Sequence, residues 1–276
     1  MPGDRDFFRE LAVAESAARR AGAIILAHYR APPIDVAAKA DGSPVSRADL
    51  EANAAILAAL RAAFPADAVL SEESPDDERR LGADRVWIVD PLDGTRGFLA
   101  RTDDFAVHVA LAIRGVPTVA VVYQPVGTRL YRAIAGQGAF LELPGAAAVR
   151  LSVSRRGLAE ARIGTSRHNL PAALTTWLEA HGLADRAVAL GGSLKYTALA
   201  EGKLDAVVTI TRSEKEWDTC APGLIVEEAG GRLCDGHGGV LRYNQPPDQI
   251  DRRDGIIVSN GVCHDELLKL AAPLFA

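Results

Sequence analysis

Two carboxylates three residues apart, Asp90 and Asp93, sit in Asp90-Pro91-Leu92-Asp93-Gly94-Thr95, directly after the apolar run Val86-Trp87-Ile88-Val89. Four successive apolar residues read as a strand buried on both faces. Pro91 has no N–H for a sheet ladder and is expected to stop it. A tight turn there lets both carboxylates converge on one point. Gly94 lacks a Cβ, so a ligand can approach the backbone, and Thr95 is placed to cap a short helix through Phe98. Free N–H groups at such a helix start favour a phosphate. A cation site and an anion site are therefore expected side by side, although Pro-x-Asp-Gly is also ordinary turn chemistry.

Other acidic residues stand at the ends of expected elements. Glu72 and Glu73 follow a short strand at 68–70, and the Asp76-Asp77-Glu78 run beyond them also fits a solvated acidic surface. Asp218 precedes a helix and could serve as its N-cap, with Pro222 in the first turn. Asp49 stands three residues after Ser46, the spacing of a capping box. Taken together the four call for a cation. Two unit charges about 4 Å apart repel by roughly 4 kcal/mol at an effective dielectric of about 20, so a carboxylate cluster protonates or splays unless neutralised. An all-oxygen donor set selects Mg²⁺ or a similar hard ion. Such an ion beside a phosphate site suggests metal-assisted hydrolysis of a phosphoester.

The whole chain is compatible with that chemistry. Its 276 residues suffice for one large or two modest domains, and 48% hydrophobic with 24% charged residues is a globular composition. A formal net charge of −5 suggests no surface for a nucleic-acid polymer or an anionic membrane, and a small phosphate ester as partner would need bound cations to attract it. Charged residues near the start interrupt any signal-peptide core, and no apolar run is long enough for a bilayer. Three cysteines without CxxC spacing read as free thiols in a cytoplasmic protein, and six scattered histidines do not suggest zinc.

The elements that must position these residues follow in order. Helices are expected at 6–30, ended by Pro32-Pro33, and at 47–64, opened by Ser46 after a turn at 41–44. Antiparallel strands are expected at 105–113, 118–124, 129–134, 139–143 and 149–153. Beyond residue 155 the rhythm changes. Strands at 162–165, 188–190, 204–210, 232–234 and 255–259 alternate with helices at 172–181, 194–201, 219–229 and 264–274. The expected organisation is residues 1–153, helices plus an antiparallel sheet with the metal-binding loops, and residues 154–276, an α/β half completing the site.

With these motifs in view, Asp90-Pro91-Leu92-Asp93-Gly94-Thr95 resembles the first signature of the inositol monophosphatase superfamily. Glu216-Trp217-Asp218-Thr219-Cys220-Ala221-Pro222-Gly223, followed by Glu228-Ala229-Gly230-Gly231, resembles its second, and Ser71-Glu72-Glu73-Ser74 its acidic pair. The resemblance runs from about Lys39 to Asn260. It implies an α+β or α/β fold, a layered αβαβα sandwich of the sugar-phosphatase type, with Mg²⁺-dependent, lithium-sensitive phosphatase activity. Within the superfamily the chain is most similar to the 3′(2′),5′-bisphosphate nucleotidase branch of sulfur metabolism, through Asp41-Gly42-Ser43-Pro44-Val45-Ser46, Gly192-Ser193-Leu194-Lys195-Tyr196 and Leu241-Arg242-Tyr243-Asn244-Gln245. Substrates of that branch include adenosine 3′,5′-bisphosphate and related sulfated nucleotides.

The resemblance also implies roles. Glu72, Asp90 and the Leu92 carbonyl would hold a first Mg²⁺, and Asp90, Asp93 and Asp218 a second, with a third leaning on Glu72. Thr95 and Asp49 would orient or deprotonate the attacking water, and the Gly94 and Thr95 amides would hold the phosphate. Lys195, in the first turn of a helix capped by Ser193, and Arg212 are the expected partners of a second phosphate. A homodimer is compatible with the resemblance. The chain departs from the branch in having Gly192 where a first serine is common, Ile210 where an arginine is common, and Ser166-Arg167-His168-Asn169 with its histidine one place early. Inositol monophosphatase or fructose-1,6-bisphosphatase-like activity on the same metal site is the first alternative, and a non-catalytic phosphate-binding protein a remote one.

Overall fold

The computed structural model describes residues 6–31, 36–38, 44–211 and 214–276. Helix α1 (Phe8–Arg30) buries a face of small residues, Ala14, Ala17, Ala18 and Ala21, which lets its backbone come close to its neighbours. An antiparallel pair, β1 (Val36–Ala38) and β2 (Pro44–Ser46), leads into α2 (Arg47–Ala63). The expected helix stop at Pro32-Pro33 and residues 41–43 of the expected turn lie outside the described residues.

The first sheet keeps its strands in chain order. Its strands β3 (Ala68–Ser71), β4 (Arg85–Asp93), β5 (Ala106–Ile113), β6 (Val116–Gln124), β7 (Arg129–Ile134), β8 (Gly138–Glu142) and β9 (Val149–Arg150) neighbour one another in sequence order. Only β3 and β4 are parallel. The short helix α3 (Thr95–Leu99) lies between β4 and β5. The expected strand at 149–153 shrinks to two residues. After Leu151, which donates to the Ala139 carbonyl at 2.8 Å, the chain leaves the sheet, and Val153 donates to the Ala229 carbonyl at 3.0 Å instead.

The second sheet is built from β10 (Ile163–Ser166), β11 (Ala187–Leu190), β12 (Ala206–Thr209), β13 (Arg232–Asp235) and β14 (Ile256–Ser259), in the order β11-β10-β12-β14-β13. Helices α4 (Ala172–Ala180), α5 (Leu194–Ala200), α6 (Glu216–Glu228) and α7 (His264–Ala271) connect and flank these strands. β10 is parallel to both β11 and β12, while β14 is antiparallel to β12 and β13.

Alternation of side chains along the strands sorts the core into three clusters. Trp87, Val89, Val107, Val109 and Val121 face α1 and α2. Val86, Ile88, Ala110 and Val122 face α5 and α6, which also receive Val207, Ile256 and Val258 of the second sheet. The reverse of that sheet, with Ile163, Val208 and Ile257, packs on α4 and α7. The layers are therefore αβαβα, as the signatures imply.

Candidate active site

The organising turn differs from its expected form in an informative way. β4 does not stop at Pro91 but continues to Asp93. Asp90 pairs with His108 and Asp93 with Ala106, so three residue steps on β4 oppose two on β5. In a plain ladder, residues three apart point to opposite faces. The extra residue of this bulge cancels the alternation and sends both carboxylates to one side. Pro91 sits in the irregular stretch, where a missing N–H costs no ladder bond.

Asp218 joins them from α6. Oxygens of Asp90, Asp93 and Asp218 lie within 4.8 Å of one another. Asp90 is 1% and Asp93 7% exposed. Burial, followed by repulsion from Glu72, Asp93 and Asp218, pushes the Asp90 carboxyl well above the usual carboxylate range. Asp218 is raised well above it for the same reasons, burial first and then Asp93, Glu72 and Glu214. Half-buried Glu72, at the end of β3, thus belongs to the same electrostatic cluster, and its backbone N–H is held by the Val89 carbonyl at 3.2 Å. These carboxyls cannot all ionise without a counter-charge. Buried, all-oxygen and mutually repelling, they fit a hard cation.

Asp218 is not the N-cap. α6 begins at Glu216, which makes Asp218 the third helical residue, and it accepts from the Lys215 backbone N–H at 2.6 Å. Pro222 consequently lies inside the helix and offers no N–H to the Asp218 carbonyl four residues back.

Asp49 divides its two oxygens between structure and site. Oδ2 accepts from the Ser46 N–H at 2.8 Å and the Ser46 hydroxyl at 2.6 Å, while Oδ1 faces Thr95 Oγ1 at 3.2 Å. Burial raises its carboxyl, opposed by the Ser46 bonds. Thr95 is the first residue of α3 rather than its cap. The cap position belongs to Gly94 at φ 87°, where a Cβ would stand 2.5 Å from the Asp104 carbonyl. Thr95 Oγ1 is instead 3.3 Å from the Leu92 carbonyl.

Two neighbours escape sequence reasoning. Asn53, one turn after Asp49 on α2, bonds the Glu73 carbonyl at 3.1 Å and the hydroxyls of Ser74 and Ser71 at 3.0 and 2.7 Å, pinning the acidic loop. Its polar side chain beside Ala52, Ile56 and Leu57 on the buried face of α2 is the signal for it. The other is His108, fully buried in the apolar strand β5. Its Nδ1 faces the Trp217 carbonyl at 3.2 Å, which only accepts, so that nitrogen carries the proton. Burial lowers the imidazole's basicity, and neutral Nε2 then accepts opposite the Ser193 hydroxyl at 2.7 Å. That hydroxyl also reaches Asp93 Oδ2 at 2.7 Å, so one hydrogen serves two acceptors, while the Ser193 N–H holds Asp93 at 2.7 Å throughout. Ser193 stands at the N-cap position of α5, but its side chain serves Asp93 and caps nothing. At Gly192, φ is 50° and a Cβ would collide with the Asp93 carboxylate, which accounts for glycine where the related branch often has serine.

A cleft of about 180 Å³ opens from Asp93 and Asp218 past Ser193 towards Lys195 and Glu214. Lys195 is in the first turn of α5, as expected, but it is not a free cation: its Nζ lies 3.7 Å from Glu214 Oε1. Glu214 also accepts from the Tyr196 hydroxyl at 2.8 Å and the Thr209 hydroxyl at 3.0 Å. Arg212 lies outside the described residues. Among the described residues no helix is long and apolar enough to cross a membrane.

Comparison with known proteins agrees with this geometry. The 3′(2′),5′-bisphosphate nucleotidase CysQ of Escherichia coli K12 is 37% identical over 228 residues, 82% of this chain and 90% of that protein. A histidinol-phosphatase of Mycobacterium tuberculosis is 32% identical over 275 residues, 94% of this chain and 96% of its own. The crystal structure of CysQ from Bacteroides thetaiotaomicron, a bacterial member of the inositol monophosphatase family, superposes with a TM-score of 0.78 at 31% identity, covering 93% of this chain and 98% of that one. The inositol monophosphatase family profile matches residues 9–274, nearly the whole chain, and the chain belongs to that family of metal-dependent phosphatases.

Proposed function

We propose that this phosphatase is a Mg²⁺-dependent 3′(2′),5′-bisphosphate nucleotidase acting on adenosine 3′,5′-bisphosphate and related sulfated nucleotides. The observation that carries the reading is the cleft that joins Asp93 and Asp218 of the carboxylate cluster to a buried lysine, offering an end for each of two phosphates. Similarity to CysQ supports the nucleotide class.

Glu72, Asp90 and the Leu92 carbonyl would hold one Mg²⁺, Asp90, Asp93 and Asp218 a second, and Glu72 would support a third. Bound Mg²⁺ supplies neutralisation of phosphate charge and acidifies a bound water. The chain's own groups do the rest. Thr95 Oγ1 donates to Asp49 Oδ1, so it can accept a proton from the attacking water while passing its own to that carboxylate. Burial raises the Asp49 carboxyl, which makes it a better proton acceptor than a surface aspartate. Gly94 and Thr95 would offer their amides to the phosphate. Ser193 keeps Asp93 in place, and Lys195 would turn from Glu214 to the second phosphate. No covalent phosphoenzyme is involved.

Phosphate release from adenosine 3′,5′-bisphosphate, inositol 1-phosphate, fructose 1,6-bisphosphate and histidinol phosphate tests the proposal, each with Mg²⁺ and with added Li⁺. The highest kcat/KM is expected on the nucleotide, with inhibition by Li⁺. A higher value on any of the other three would overturn the assignment.

A further inference from the structure

Residues 242–245 form a strap between the two segments that carry the carboxylates. On one side, Glu216, fully buried in the first turn of α6, accepts from the backbone N–H groups of Asn244 at 2.7 Å and Gln245 at 2.8 Å. On the other, Arg80, 1% exposed, donates Nη1 to the Asn244 side-chain oxygen at 2.8 Å and to the Gln245 carbonyl at 2.9 Å. The rest of its guanidinium forms a two-pronged pair with Asp76 at 2.6 and 2.8 Å. Asn244 returns a bond from its Nδ2 to the Arg80 carbonyl at 2.9 Å. The strap is also tied down along its length: the Tyr243 N–H bonds the Gly115 carbonyl at 3.2 Å, and the Tyr243 hydroxyl is 3.3 Å from Thr219 Oγ1.

Asp76 belongs to the loop that leaves β3 and begins with Glu72, and Arg80 to the short 3-10 helix Glu78–Gly82 that follows it. Glu216 and Thr219 bracket Asp218. Bonds through Asn244 thus join the loop bearing Glu72 to the helix start bearing Asp218, two segments pushed apart by their own like charges. Two charged side chains this deeply buried are costly to keep unless they are paired and bonded, and here both are spent on one four-residue segment.

We propose that Arg80, Asn244 and Glu216 are positioning residues that hold the Glu72 loop and the Asp218 helix at the separation a metal ion requires. The inference rests on Glu72 and Asp218 being metal ligands. Neither Arg80 nor Asn244 touches the cluster; they act through the strap, as outer partners of metal ligands do elsewhere.

Asn244→Gly is the cleanest test, because φ at this position is +60° and glycine keeps the backbone while deleting only the clasp with Arg80. Arg80→Lys keeps the charge but cannot form the fork. In titration calorimetry of the metal-free protein with Mg²⁺, both variants are expected to raise the dissociation constant by about 10-fold. Asp205→Asn serves as the control for a merely structural loss. It disturbs a buried carboxylate bonded to Ser154 and Arg156, and it should lower the melting temperature while leaving Mg²⁺ affinity unchanged. An unchanged dissociation constant in both strap variants would overturn the proposal. A wild-type protein that takes up no Mg²⁺ would overturn the metal reading itself, which separates the two failures.

Discussion

Asp205 and Asp90 are equally buried carboxylates with opposite surroundings. Asp205, at 0% exposure, is met by the Arg162 N–H at 2.7 Å, by Arg156 Nε at 2.9 Å, by Asn260 Nδ2 at 3.4 Å and by the Ser154 hydroxyl. Asp90, at 1% exposure, has the Leu92 N–H at 3.0 Å as its donor and faces Glu72, Asp93 and Asp218. Both pay the several kcal/mol of desolvation that burial of a charge entails. In the first region the chain itself supplies the compensating cation and donors, and the result is a structural knot. In the second it gathers more negative charge, which is stable only with protons or a metal. Burial alone does not mark a site. Burial with the balance left open does.

Isosteric replacement in the two regions gives the largest expected contrast. Asp93→Asn keeps the volume and the Ser193 contact but removes charge from the cluster. It is expected to lower kcat/KM by at least about 100-fold at any Mg²⁺ concentration, with the metal-free melting temperature equal to or above wild type. Asp205→Asn should do the reverse, losing about 1–3 kcal/mol of stability because an amide NH2 replaces one of the buried acceptor oxygens that serve Arg156, Ser154 and the Arg162 N–H, while turnover of the folded protein stays near wild type. Denaturant titration and steady-state kinetics on both proteins decide it. Comparable activity losses in the two would erase the distinction.

Metal and proton should compete in the open region only. Asp90 and Asp218 hold their protons to higher pH in the folded chain than in the unfolded one. The folded state therefore binds more protons above about pH 3.9, and the metal-free protein loses stability as pH rises towards the raised values. On the proposed reading Mg²⁺ is expected to supply the missing charge and to add about 2.7 kcal/mol at about 100 times its dissociation constant. The rise in melting temperature on adding Mg²⁺ is expected to be larger at about pH 8 than at about pH 5.5, since ligands must first lose their protons. A rise independent of pH would mean that the ion binds elsewhere.

The contrast between the two regions was only partly legible in the sequence. Both signatures, the acidic pair and the Ser46–Asp49 box could be read directly, because each is a local pattern of residue types. The order of strands and helices follows from their periodicity, and the layering from the family resemblance that the signatures carry. What escaped is tertiary. The bulge that aligns Asp90 with Asp93 exists only relative to the pairing with β5. The Glu216 side chain at the start of α6 is held by Asn244 and Gln245, nearly thirty residues downstream. His108 and Asn53 carry no motif, and each acts through a partner distant in sequence.

Lys195 and Glu214 form a third case between those two regions, a charge balanced by the chain yet open to a ligand, and the smallest expected effect lies there. A free lysine would give its full charge-assisted bond to a second phosphate, but Nζ already lies 3.7 Å from Glu214 Oε1, so the phosphate gains only the difference between two partners. That net term is about 1 kcal/mol, or roughly fivefold. Lys195→Ala is therefore expected to raise KM for adenosine 3′,5′-bisphosphate by about that factor, with kcat little changed and inositol 1-phosphate nearly unaffected. Glu214→Gln keeps one acceptor oxygen, enough for the Tyr196 or the Thr209 hydroxyl, and removes the charge that holds the lysine, so it should lower KM for the bisphosphate. Opposite shifts from the two variants, confined to the substrate with two phosphates, would establish that the pair opens for the ligand. Parallel losses on both substrates would make it a fixed structural bridge, of the same kind as Asp205 with Arg156.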